Sequence, residues 1–161
     1  MLVLARMACL LFIVVQAGVA QTVSRAYVGH DGNAHLIFPD GTSKTISREP
    51  EQIGCENIAI SPDRKIVAWS VLVENCCTSY PIPTSVVVYR KGKTFTISTG
   101  QMIWRWHFLG NNRLALLSGP THGGAATTNL YSLADGKIVE SWNGKGDAPN
   151  WAKAWRNEFE Q

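Results

Sequence analysis

The chain has 161 residues, 45% of them hydrophobic and 17% charged, which excludes wholesale disorder and suffices for one domain with a real core. Its formal net charge is +3. The basic cluster Arg90-Lys91-Gly92-Lys93 is too small to point to nucleic acid, so no such partner is expected.

Residues 1–20 read as an export signal. Arg6 precedes an apolar run from Met7 to Val15, and Gly18 and Ala20 stand where a signal peptidase reads small residues, which predicts cleavage before Gln21. The run is shorter than the ~20 residues that span a bilayer. The expected product is therefore periplasmic or secreted, with no stable membrane insertion. Cleavage leaves 14 basic and 12 acidic residues, or +2.

Cys55, Cys76 and Cys77 lie beyond the signal. Export to an oxidising compartment makes a disulfide the default expectation, and an odd count leaves one thiol over. The expected bridge joins Cys55 to Cys76 (or Cys77). The two ends belong to a hairpin centred between Asp63 and Arg64, whose regular pairing would set Cys55 opposite Leu72. The loop after it must then fold back to bring the Cα atoms within about 4.4–6.8 Å. A bridge between the neighbours Cys76 and Cys77 is the strained alternative. Nothing has CxxC spacing, so neither a metal nor a cofactor is expected.

From Tyr27 to Trp142 alternation and turns replace helical periodicity. Three hairpins align on a glycine: Leu36–Gly41 into Thr45–Ser47, Val87–Gly92 into Phe95–Ser98, and Leu130–Gly136 into Ile138–Ser141. Each glycine supplies the positive φ of a tight turn, and the three are 51 and 44 residues apart. A second hairpin type interleaves. Ile58–Ile60 turns through Ser61-Pro62-Asp63-Arg64 into Ile66–Val71, and Trp106–Phe108 turns through Gly110-Asn111-Asn112 into Leu114–Leu117. Asp63 and Asn111 are 48 residues apart, and that offset sets Ile58 and Ile60 on Trp106 and Phe108.

A period in the forties with four strands per unit resembles β-propeller blades. The stretch Ile60-Ser61-Pro62-Asp63-Arg64-Lys65-Ile66-Val67-Ala68-Trp69 resembles the blade motif of WD-like and periplasmic Tol-type repeats, with Arg64 where that pattern has glycine. The resemblance covers two units, about Cys55 to Ser98 and Met102 to Trp142, and the second half of one before them. It implies an all-β fold of antiparallel, four-stranded, propeller-like blades, arranged as an incomplete propeller or a small sandwich. It implies no activity. The strands from Tyr27 to Ser47 could alternatively complete the last unit.

In such units the longest loops leave one end: Glu74–Pro83, Ser118–Gly124 and the connection Arg48–Glu51. Long loops on a rigid scaffold are where binding concentrates, which makes Arg48, Glu49, Glu74, Tyr80 and His122 the candidate ligand-binding residues. His30 and His35 flank Asp31-Gly32-Asn33 and read as a polar hairpin rather than as metal ligands. Trp104, Trp106 and Phe108 alternate, so they are expected to share one core face.

After Gly146 the pattern changes. Asp147-Ala148-Pro149-Asn150 offers helix-start chemistry, and Trp151, Trp155 and Phe159 recur every four residues. A short helix over about 150–158 is expected to dock on the sheet. The division is thus a signal at 1–20, a β-repeat domain at 21–146 and a C-terminal helix at 147–161. The leading expectation is a non-enzymatic exported protein that binds a protein or a small molecule through its long loops. A thiol-dependent enzyme at Cys76, Cys77 and His122, another hydrolase, or a structural subunit completing a homo-oligomer are the alternatives; no catalytic residue is assigned.

Overall fold

The computed structural model describes residues 21–49, 51–122 and 124–153. Residues 1–20, Trp155 and Phe159 lie outside them. Among the described residues eleven strands form three antiparallel meanders that do not close on one another. Sheet I comprises β1 (Arg25–Val28), β2 (Ala34–Ile37) and β3 (Ser43–Ile46). Sheet II comprises β4 (Gln52–Ile60), β5 (Ile66–Val73), β6 (Ile82–Arg90) and β7 (Lys93–Ser98). Sheet III comprises β8 (Met102–Leu109), β9 (Arg113–Gly119), β10 (Thr127–Ser132) and β11 (Ile138–Trp142). The strands from Tyr27 to Ser47 thus build a sheet of their own instead of completing the last unit, because β1 pairs with β2 in full register.

Alternation along the strands explains the stacking. In β5, Ile66 and Ala68 point into a core shared with Leu114 and Leu116 of sheet III, while Val67, Trp69 and Val71 point into a core shared with Ala34 and Leu36 of sheet I. The central strands of sheet II are therefore apolar on both faces, as a doubly covered sheet requires. Ile58 and Ile60 pack towards sheet I, and Trp106 and Phe108 occupy the matching places between sheets II and III. The Trp106 indole donates to Ser70 Oγ across that second interface at 2.8 Å.

Trp104 departs from expectation. The register of β8 slips between Ile103 and Arg105, and one extra residue in a strand redirects the side chains on either side of it. Trp104 therefore packs on the opposite face, against the cluster of Ala115, Leu117, Leu130 and Trp151. Its ring lies where a Cβ on Gly119 would stand, 2.9 Å away, so position 119 admits no side chain without a shift.

Connections at one end of the strands are tight. Gly41, Gly92 and Gly136 have φ of 82°, 80° and 72°. Lys91 (φ 50°) and Gly92 form a two-residue loop with both φ positive, the geometry that matches strand twist. This end is laced across sheets: Lys44 Nζ donates to Gly92 O, Asp63 N to Asn111 Oδ1 and Arg90 Nη1 to Leu133 O. The Ser61-Pro62-Asp63-Arg64 turn is locked from within. Ser61 Oγ donates to Asp63 Oδ1 and accepts from Ile66 N, and Ser61 is buried. Arg64, where the resembling pattern has glycine, adopts φ 59°. Its Nε donates to Val23 O, its Nη2 to Ser24 O, and its own carbonyl accepts from Val23 N.

Residues 150–153 are helical, with Ala152 N and Lys153 N donating to Pro149 O. Ala152 is buried, and the Trp151 indole donates to Glu140 Oε2 at 2.7 Å. Trp151 packs against the outer face of sheet III. The outer face of sheet I is polar instead. There Tyr27 stacks on His35 with ring centroids 5.1 Å apart, and His35 bridges the Asp31 carboxylate and the Thr45 hydroxyl. His35 is thus held in the polar face of the β1–β2 hairpin, and His30 is exposed in the turn that joins the two strands.

No Cys55–Cys76 bridge forms; all three cysteines among the described residues are free thiols. β4 bulges between Glu56 and Ala59, with Asn57 at φ 52°. Cys55 consequently pairs with Val71 rather than Leu72, and its side chain packs against the core between sheets I and II. The Cys76 sulfur meets Cys77 instead, 3.0 Å away.

Candidate functional site

The other end of the strands carries the long connections, and there sheets II and III part to leave a cleft of about 510 Å³. Its walls come from β5, the 74–81 loop, β6, the connection between β7 and β8, and the end of β9. Val73, Ile82, Met102 and Pro120 contribute apolar surface. Asn75 and Gln101 offer carboxamides, and Thr84 and Thr121 offer hydroxyls. Glu74 alone among the lining residues is charged. The volume falls in the range of small-molecule sites.

The rim is shaped by local bonds. Thr99 Oγ1 donates to Gln101 O and accepts from Gln101 N, which turns the chain tightly between the sheets. Asn75 accepts from Thr78 N through its carbonyl and from Cys77 N through Oδ1, both at 3.4 Å. A second recess of about 290 Å³ shares Glu74 and Asn75 with the first and is also lined by Ile53, Thr78 and Tyr80.

The five residues expected from the sequence do not form one site. Glu74 borders both recesses and Tyr80 the second, where its side chain is exposed. Arg48 and Glu49 line a separate crevice of about 60 Å³ with Cys55 and Trp69, and Arg48 Nη1 is committed to Ile53 O. Burial in that crevice pushes the Cys55 thiol up, with Arg48 acting against it. His122 is exposed in the turn one residue beyond Thr121, which does line the cleft. Thr84, Gln101 and Met102 went unmarked. Gln101 lies in the connection 99–101, the counterpart between sheets II and III of the Arg48–Glu51 connection, whereas Thr84 lies inside β6 and Met102 opens β8, and nothing local marks any of them as cleft-lining.

Among the described residues no three His, Cys, Asp or Glu side chains converge as a metal site, and no helix is long and apolar enough to cross a membrane. Set against models of known protein families and against curated protein sequences, the chain matches neither.

Proposed function

We propose that the protein is an exported, non-enzymatic binding module of propeller-like repeats. Its ligand is a small, hydrogen-bonding molecule, uncharged or singly cationic, held in the cleft between sheets II and III. The observation that carries this reading is the cleft's lining: amides and hydroxyls beside apolar side chains, with one carboxylate. A few polar groups among apolar ones orient a small ligand, and a lone Glu74 disfavours anions. The blade reading is supported by equivalent positions touching across sheets, as Asp63 and Asn111 do 48 residues apart. A helical turn on the outer face of sheet III and a polar outer face on sheet I favour a finished stack over a subunit awaiting ring closure.

Thermal-shift titration with monosaccharides, primary amines and dicarboxylates tests the reading. Sugars or amines should raise the melting temperature of the native protein, dicarboxylates should not, and Thr84→Trp, which fills the cleft, should abolish the response. A response confined to dicarboxylates, one that survives Thr84→Trp, or none from any class would overturn it.

A further inference from the structure

We infer that Cys76 and Cys77 are a thiol-modification site, a vicinal pair that a small-molecule disulfide oxidises to an intraloop disulfide. Both side chains are exposed and their sulfurs stand 3.0 Å apart. The only other cysteine among the described residues, Cys55, is half-buried against a core with its strand neighbour fixed as Val71. Access and proximity therefore select the neighbours for exchange.

In the first step the thiolate of one cysteine attacks the external disulfide. A protein–small-molecule disulfide forms and one small thiol leaves with a proton from solvent. The thiolate of the neighbour then attacks the protein sulfur of that mixed disulfide, closing Cys76–Cys77 and releasing the second small thiol. The two cysteines lose two electrons and two protons, and the external disulfide is reduced to two thiols. Consecutive Cα atoms lie about 3.8 Å apart across a trans peptide, short of the roughly 4.4–6.8 Å that unstrained disulfides span. The bond is accordingly easy to reduce, which suits a reversible mark more than a permanent staple. The site sits one residue past Asn75, on the rim shared by both recesses.

The test incubates the full chain with oxidised glutathione, blocks remaining thiols with iodoacetamide under denaturing conditions, and maps peptides without reduction. The expected result is a loss of two titratable thiols per chain and a peptide containing residues 76–77 that is two hydrogens lighter with no adduct. Cys55→Ser should leave this unchanged, and Cys76→Ser should trap glutathione on Cys77. Stable glutathione on both neighbours of the native chain, a Cys55–Cys76 or Cys55–Cys77 cross-link, or thiols that stay reduced would each overturn the inference.

Discussion

Replacing Arg64 separates two opposing effects at one turn. A non-glycine residue in the left-handed region carries roughly 1–2 kcal/mol of strain, and Arg64 stands there at φ 59°. Against that, its guanidinium makes two bonds to the carbonyls of Val23 and Ser24, each contributing about 0.5–1.5 kcal/mol at an exposed position. Arg64→Ala keeps the strain and loses both bonds, so it should cost about 1–3 kcal/mol. Arg64→Gly loses the same bonds but relieves the strain, less the greater freedom glycine returns to the unfolded chain. It should therefore lie about 0.5–1 kcal/mol above the alanine variant. The main-chain bond from Val23 N to Arg64 O persists in both. Urea unfolding at constant m-value measures the three stabilities. The expected order is wild type, then glycine, then alanine. An alanine variant as stable as wild type would refute the strap, and one more stable than the glycine variant would refute the strain.

Ser61→Ala should cost about 1–3 kcal/mol in the same assay, because it strips the partner from the buried Ile66 amide. Trp106→Phe keeps an aromatic ring in the core but removes the pyrrole half of the indole and leaves Ser70 Oγ without its donor; the hydrogen-bond part of the loss, about 1–3 kcal/mol, is what Ser70→Ala in the same chain should partly recover, as a double-mutant cycle would read. Hydrogen bonds from His35 and Asn33 hold the Asp31 carboxyl well below the usual carboxylate range, and Thr42 and Ser132 lower Asp40 and Asp135. Folded values below the unfolded ~3.9 mean that this stabilisation is present above about pH 4 and is lost as pH falls through the folded values. Unfolding midpoints from pH 6 to pH 2 should therefore decline in wild type and decline less in Asp31→Asn.

The hairpins were legible because their signals are local. Gly41, Gly92 and Gly136 each take the positive φ their turns demand, and the apolar run Ile66–Val71 after the Ser61–Arg64 turn marks a strand, buried on both faces. Bulges were not legible. The irregularity at Asn57 shifts Cys55 by one partner and the slip beside Trp104 turns that ring to the other face, and neither leaves a mark in an alternating pattern. Long, irregular connections mark the loop end in the sequence, and Glu74 lies in one of them. The cleft itself depends on how two sheets diverge, so Thr84 and Gln101, ordinary residues of a strand and a short turn, carried no sign of it. Arg48 and Glu49 were drawn to the same end by topology, yet they serve the gap between sheets I and II.

Backbone amide shifts followed by NMR, during titration with whichever sugar or amine gives the largest thermal shift, test the binding reading most directly. Ligand in the cleft should give saturable shifts at Glu74, Asn75, Gln101 and Thr121, which line it. Shifts centred on Tyr27, His35 and Thr45 at the outer face of sheet I, with the cleft residues unmoved, would contradict it.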